Sequence, residues 1–176
     1  MWKMPFGELI VEVKDEKMAM VEAHIHLIEK EIESRFPVDG RLLIEVTLLP
    51  QEERELSFTC RFQPSLKITD SFVETGEFLE LKSWYHDDFK WSIGAVDEDW
   101  FLWLRKADLR RVEYLENGIS LKIGGLAKNK PFMLPFGVAW KTLKDPAEEG
   151  LHVVRGQPGS YVSAEMAGVI GMNLLY

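Results

Sequence analysis

Two hydrophobic periods divide the chain, and the first 40 residues contain both. Residues 8–13 form a short run rich in β-branched side chains, which predicts a first strand. Apolar residues then recur at spacings of three and four, as in an amphipathic helix: Met18, Val21, Ile25, Ile28 and Ile32. Asp15 is a candidate N-cap, and Phe36 precedes a proline, which disfavours the helical conformation at that position. We therefore predict a long N-terminal helix over residues 15–36.

From residue 41 the period becomes two. Two segments have a one-sided apolar pattern, the first with Leu42, Ile44, Val46 and Leu48 and the second with Leu56, Phe58, Cys60 and Phe62. Strict alternation is typical of a half-buried strand. We predict that the two strands form an antiparallel hairpin joined through residues 50–54, with Cys60 as a small buried hydrophobic side chain.

Further strands are predicted at residues 77–85, 89–96, 100–105, 109–115 and 119–123. Asn117-Gly118 between the last two is a strong hairpin signal. About seven or eight strands without alternating helices predict an α+β fold, in which one mainly antiparallel sheet packs on the long N-terminal helix. In its order of elements this arrangement resembles the helix-grip ligand-binding folds.

The length of 176 residues fits a single domain spanning residues 1–176. Residues 150–176 form an apolar tail, and within it Ala164–Tyr176 has three open interpretations. It could form a short C-terminal helix that covers the sheet, it could be a poorly ordered end, or it could make an oligomer contact.

Composition narrows the class of protein. With 46% hydrophobic residues the chain is too apolar for a disordered protein, and it contains no apolar run that would span a bilayer. The net charge of −8 argues against nucleic acid as a partner. A single cysteine favours a reducing compartment, so we expect a cytoplasmic protein. No motif predicts a cofactor or a metal site, and P-loop, Rossmann, G-x-S-x-G and C-x-x-C patterns are absent from the sequence.

Charge is unevenly distributed. Residues 1–100 contain 11 basic and 22 acidic side chains, whereas residues 105–144 contain nine basic and only three acidic side chains. The two parts could attract each other within the fold, or the basic part could meet a small anionic group.

One short string concentrates groups that can do chemistry: His86, Asp87 and Asp88. An imidazole beside carboxylates can act as a general base or bind a divalent ion. These three residues are the candidates for a metal-assisted or general-base enzyme. His24 and His26 are not metal candidates, because residues two apart on a helix point away from each other.

Aromatic residues suggest a different function. Five of the six tryptophans lie between residues 84 and 140, and the predicted strand at residues 100–105 is apolar on both faces. Such a strand is buried on both sides or lines a pocket. The predicted ligand-binding residues for an apolar small molecule are Trp84, Trp91, Phe101 and Trp103.

Residues 131–137 are apolar but interrupted by two prolines, which predicts a loop rather than a central strand. As a loop over the core or an exposed patch, this segment could contact a protein partner through Phe132, Leu134 and Phe136.

Three functional hypotheses follow. The leading one is a non-catalytic binding protein, whose aromatic sheet face or 131–137 loop meets an apolar ligand or a protein partner. The second is an enzyme centred on His86, Asp87 and Asp88, although the sequence favours a non-enzyme. The third is a structural homo-oligomer assembled through the apolar tail.

Overall fold

The computed structural model describes residues 1–29, 38–76, 79–87, 89–104 and 107–143. These residues form eleven β-strands and one short α-helix. The strands are β1 (Trp2–Met4), β2 (Gly7–Asp15), β3 (His24–Glu29), β4 (Gly40–Leu48), β5 (Arg54–Pro64), β6 (Asp70–Gly76), β7 (Leu79–His86), β8 (Phe89–Ala95), β9 (Asp108–Leu115), β10 (Gly118–Leu126) and β11 (Phe132–Thr142). The helix, α1 (Glu98–Leu104), lies between β8 and β9.

The strands form two antiparallel sheets that pack face to face. The five-stranded sheet has the order β1-β2-β5-β10-β9, and the six-stranded sheet has the order β3-β4-β11-β8-β7-β6. Aromatic rings fill the space between them: the ring of Phe62 on β5 is 4.8 Å from that of Trp84 on β7, and Phe58 is 5.6 Å from Phe132 on β11. One hydrophobic core therefore lies between two layers, as in a β-sandwich.

The predicted α+β fold with a long N-terminal helix is wrong, because the described part of residues 15–36 contains no helix. β2 ends at Asp15, whose carboxylate accepts hydrogen bonds from the backbone N–H groups of Lys17 and Ala19, both at 2.9 Å. Met18 has a φ of 61°, which closes the turn. The chain then returns as β3, with Ile25 paired to Val46 of β4. Residues 30–37 lie outside the described residues. Without the helix, the resemblance to helix-grip folds also ends.

The predicted hairpin between residues 42–48 and 56–62 is also wrong in its pairing. Both segments are strands with the predicted faces buried, but β4 belongs to the six-stranded sheet and β5 to the five-stranded sheet. The connection through Pro50 carries the chain from one layer to the other. Each strand turns its apolar face toward the core, so the one-sided pattern is the same as in a paired hairpin. Cys60 is fully buried, as predicted.

The predicted strand at residues 100–105 is a helix where it is described. Asp97 precedes α1, and its carboxylate accepts a hydrogen bond from the N–H of Trp100 at 3.2 Å. Glu98 and Asp99 place negative charge in the first turn, where the helix dipole favours it. Trp100 and Phe101 are buried and Leu102 is exposed. The apolar run that predicted a strand buried on both faces is therefore a short helix with Asp97 at its N-terminus.

The predicted loop at residues 131–137 is instead the start of β11, a strand in the interior of the six-stranded sheet. Pro135 is tolerated because pairing with β8 begins only at Phe136, so no ladder hydrogen bond is lost on that side. β11 has apolar side chains on both of its faces because both faces of the sheet are buried there. Phe136 faces the core, and Ala139, on the other face, is fully buried.

Other predictions agree with the structure. The Asn117-Gly118 hairpin joins β9 to β10, with Gly118 opposite Leu115. The strands predicted near residues 77–85 and 89–96 correspond to β7 and β8. No helix in the described part of the chain is long and apolar enough to cross a membrane. The apolar tail, including Ala164–Tyr176, lies outside the described residues, as do the alternatives proposed for it.

Candidate functional site

Three connections between the two sheets converge at one end of the sandwich. They join β2 to β3, β4 to β5, and β10 to β11. A backbone hydrogen bond of 2.7 Å from Asn129 to Pro50 ties the last two together, and Val21 in the first connection donates to Val13 at 2.8 Å. Loops supported by a rigid sandwich are frequent binding sites.

A groove of about 460 Å³ lies among these connections, and we call it the loop groove. Its lining combines apolar and polar side chains: Val21, Glu22, His24, Thr47, Leu48, Leu49, Gln51, Arg54 and Pro131. The register of β3 and β4 places His24 directly opposite Thr47 at its floor. Ligand sites have this kind of lining, in which apolar area supplies affinity and a few polar groups supply orientation.

Arg54 separates the loop groove from an adjoining acidic hollow of about 310 Å³. The hollow is lined by Glu16, Glu52, Glu53 and Glu55 among others. Arg54 makes one long ion pair, 3.8 Å to Glu52, and its Nε is buried with no hydrogen-bond acceptor among the described residues. The Arg54 side chain as a whole is 25% exposed, so an occupant that offers an oxygen could accept a hydrogen bond from another part of its guanidinium.

Large hydrophobic side chains are exposed beside the loop groove. Met18 and Met20 in the β2–β3 connection are 68% and 63% exposed, and Leu49 is 50% exposed. Methionine is common at surfaces that accept flexible partners, because its unbranched side chain adapts to different shapes. Leu49 lines the groove, and Met18 and Met20 belong to the connection whose Val21 and Glu22 line it, so exposed apolar area adjoins the concave surface.

The predicted ligand-binding aromatic residues lie elsewhere. Trp84 and Trp91 are fully buried and stack at 6.3 Å, and Phe101 is 2% exposed in α1. The backbone of Trp103 belongs to α1, but its side chain lies outside the described set. Trp84, Trp91 and Phe101 line neither the loop groove nor the acidic hollow. A ligand role for these residues stays an untested prediction, and the packing gives them a core role.

The predicted partner-contact residues are likewise in the core. Phe132 is 6% exposed, and Leu134 and Phe136 are fully buried. All three lie on the core-facing side of β11. A direct contact between them and a partner would require the two sheets to separate.

His86 and Asp87 lie at the turn between β7 and β8, and Asp88 is outside the described residues. The Nδ1 atom of His86 lies 2.6 Å from the carbonyl oxygen of Lys67, and its Nε2 lies 3.8 Å from the Asp87 carboxylate. The Asp87 side chain is exposed, and the backbone of Asp87 has a φ of 42°. The imidazole thus links the β7–β8 turn to Lys67 in the connection between β5 and β6. Among the described residues, no group of three or more His, Cys, Asp or Glu could hold a metal ion.

Sequence reasoning missed a set of polar contacts between β7 and the β9–β10 hairpin, which we call the inter-sheet ladder. Alternate residues of β7 face the core and each reaches the hairpin. Tyr114 donates a hydrogen bond to the carboxylate of Glu80. Lys82 Nζ donates to the backbone carbonyl oxygen of Leu115 at 2.5 Å. The indole N–H of Trp84 donates to the backbone carbonyl oxygen of Glu116 at 2.7 Å.

Burial perturbs the charged groups of the inter-sheet ladder. Burial raises the pKa of Glu80, the hydrogen bond from Tyr114 opposes this, and the negative charge of Asp97 adds to the rise. Burial lowers the pKa of Lys82, against the opposing effect of Glu116. Perturbed groups often mark active sites, but these are engaged in holding the sheets together, and no described hollow opens onto them.

Comparison with known proteins finds no matching family model, no similar curated protein and no similar solved structure.

Proposed function

We propose that the protein is a non-catalytic binding module that holds an apolar, basic segment of another protein in its loop groove. The observation that carries the proposal is that, at this end of the sandwich, exposed Leu49 lines a concave surface, and exposed Met18 and Met20 lie in a connection that borders it. A cytoplasmic location, favoured by the single cysteine, is part of the proposal.

Charge around the loop groove supports a basic partner. Glu22 lines the loop groove, and Glu16, Glu52 and Glu53 line the adjoining acidic hollow together with Lys17. All four glutamates are exposed, and the described residues give an ion pair only to Glu52, a long one at 3.8 Å. Potentials of opposite sign steer association and exclude partners of the wrong charge. The acidic half of the chain thus supplies a surface suited to lysine or arginine side chains.

The position of Arg54 supports a polypeptide rather than a hydrocarbon. Its side chain lines the loop groove, is 25% exposed and makes a long ion pair, 3.8 Å to Glu52. A peptide segment presents a carbonyl oxygen at every residue, and one of these could accept a hydrogen bond from the exposed part of the guanidinium. An apolar small molecule would fill the groove without offering such an acceptor.

A test uses two synthetic peptides of equal length, one alternating leucine with lysine and the other alternating leucine with glutamate. Binding to the full chain is measured by fluorescence anisotropy, and the contact surface by amide chemical shifts. We expect the basic peptide to bind and the acidic peptide not to bind, with shifts concentrated around residues 18–24 and 47–54. Binding of neither peptide, or shifts elsewhere on the sandwich, would show the proposal to be wrong.

Substitution provides a matched pair of variants. Leu49→Lys introduces a cation into the loop groove, whereas Leu102→Lys introduces the same group on the exposed side of α1. Both residues are exposed, so both variants are expected to fold. We expect Leu49→Lys to weaken peptide binding by about tenfold or more, which corresponds to about 1.4 kcal/mol, and Leu102→Lys to leave it unchanged. An equal effect of the two substitutions would contradict the assigned site.

A further inference from the structure

β6 is an edge strand of the six-stranded sheet, and no strand among the described residues pairs with its outer edge. In the described structure it pairs only with β7, through seven consecutive residue pairs without a register shift. Ser71, Val73 and Thr75 are exposed, and Val73 is 43% exposed. The strand therefore presents a row of backbone N–H and C=O groups that can pair with another strand.

Edge strands often carry lysine, arginine, proline or a bulge that hinders such pairing, and β6 has none of these; its charged residues are Asp70 and Glu74. β9, at the edge of the other sheet, is protected by Arg110 and Arg111 and by a register shift in its pairing with β10. β1 is only three residues long. β3, at the opposite edge of the six-stranded sheet, is one residue shorter than β6 and also contains no lysine, arginine or proline. β6 is therefore one of two weakly protected edges, and its sequence distinguishes it.

The sequence of β6 is complementary to itself. An antiparallel pair centred on Val73 would place Val73 opposite Val73 of a second copy, and no like charges would face each other. The remaining opposed pairs would be Phe72 with Glu74, Ser71 with Thr75, and Asp70 with Gly76. Hydroxyl pairs such as Ser with Thr stabilise neighbouring strands, whereas like charges directly opposite destabilise them.

We propose that two copies of the chain associate through β6, about a two-fold axis at Val73, so that their six-stranded sheets become one continuous sheet. A two-fold interface of this kind is closed, because each copy uses its single β6 edge. The inference is independent of the proposed function: the loop groove adjoins β3 and β4, at the opposite side of the same sheet. The dimer would expose two loop grooves.

Two cysteine variants test the register of the pair. In the dimer the two Val73 Cα atoms would be about 4.5–5.5 Å apart, within the range that a disulfide bridges. The two Thr75 Cα atoms would be offset by four residues, or about 14 Å along the strands, which no disulfide can span. Cys60 does not interfere, because it is fully buried and burial raises the pKa of its thiol.

In oxidising glutathione buffer we expect Val73→Cys to form a disulfide-linked dimer, at least about tenfold faster than Thr75→Cys, because only residue 73 lies on the axis. Sedimentation of the unmodified chain should show a reversible dimer. Val73→Lys should be monomeric and should melt at the temperature that the unmodified chain shows when it is diluted to monomer, because association adds stability only above the dissociation constant of the dimer. A monomeric unmodified chain, a dimer that survives Val73→Lys, or equal cross-linking of the two cysteine variants would overturn the proposal.

Discussion

Tyr114 on β9 donates a hydrogen bond to the carboxylate of Glu80 on β7, and this contact links the edge of the five-stranded sheet to the six-stranded sheet. Glu80 has a raised pKa because burial disfavours its charged form and Asp97 adds negative charge, while Tyr114 opposes both effects. The hydrogen bond from Tyr114 thus stabilises the ionised form of the Glu80 carboxylate, so the strength of this contact varies with pH.

We predict that Tyr114→Phe destabilises the protein by about 1–2 kcal/mol near neutral pH and by less in acid. A raised folded pKa means that the contribution of Glu80 to stability is complete below its ordinary pKa of 4.5 and is lost as pH rises through the folded value. Without the phenol, the folded pKa rises further and the loss grows. Urea unfolding over this pH range measures the effect.

Glu80→Gln is the control for this prediction. Its amide oxygen can still accept the hydrogen bond from Tyr114, but the side chain does not ionise. In the Glu80→Gln background, the cost of Tyr114→Phe should therefore no longer vary with pH between about 4 and 7. A cost that varies equally in both backgrounds would place the titrating group elsewhere.

Asp97 has two roles that substitution can separate. Asp97→Ala removes the hydrogen bond to the N–H of Trp100, and we expect a loss of about 0.5–2 kcal/mol of stability. Asp97→Asn keeps an acceptor oxygen at the N-cap, so it should cost less. Both variants remove the charge that raises the pKa of Glu80, so both should lower that pKa in an NMR titration of its carboxyl carbon. No change in either variant would contradict the assigned coupling.

Strand faces could be predicted from the sequence more reliably than strand partners. The alternation in residues 42–48 and 56–62 identified the buried side chains correctly, including Cys60. It did not identify the pairing, because two strands that face each other across a core have the same one-sided pattern as two strands in one hairpin. Only the long-range contacts between β4 and β11, and between β5 and both β2 and β10, decide between them.

Local patterns were ambiguous where two periods overlap. Ile25 and Ile28 fit a helical stripe, but Ile25 and Leu27 also alternate with His24 and His26, and pairing with β4 selects the strand. By contrast, α1 had a readable signal: Asp97 followed by two acidic residues is a typical helix start. The two-sided apolar pattern that follows predicts a strand instead, and the two signals conflict.

The candidate site could not be found from sequence, because its parts are distant along the chain. Val21, Leu49 and Pro131 belong to three different connections, and only the folding of both sheets brings them to one end of the sandwich. Glu80 and Tyr114 are likewise 34 residues apart. No spacing rule links such residues, whereas the adjacent His86 and Asp87 attract notice without forming a cleft.

Gly118 makes a close backbone approach that a side chain would prevent. A Cβ atom at this position would lie 2.4 Å from the carbonyl oxygen of Cys60 on β5. We predict that Gly118→Ala destabilises the protein by about 1–3 kcal/mol, because the β10–β5 ladder must shift to relieve the overlap. Chemical unfolding checks the value. An unchanged free energy of unfolding would contradict the steric reason.

The thiol of Cys60 should be unreactive in the folded protein. It is fully buried on β5 between β2 and β10, and burial raises its pKa, so the reactive thiolate is both inaccessible and disfavoured. We expect no labelling by a disulfide-exchange reagent at neutral pH until denaturant unfolds the chain, after which one thiol per chain should react. Thr75→Cys supplies an exposed thiol as a positive control and should be labelled at once without denaturant. Rapid labelling of Cys60 in the native chain would show that the two sheets separate readily, and it would contradict the close packing of the core around β5.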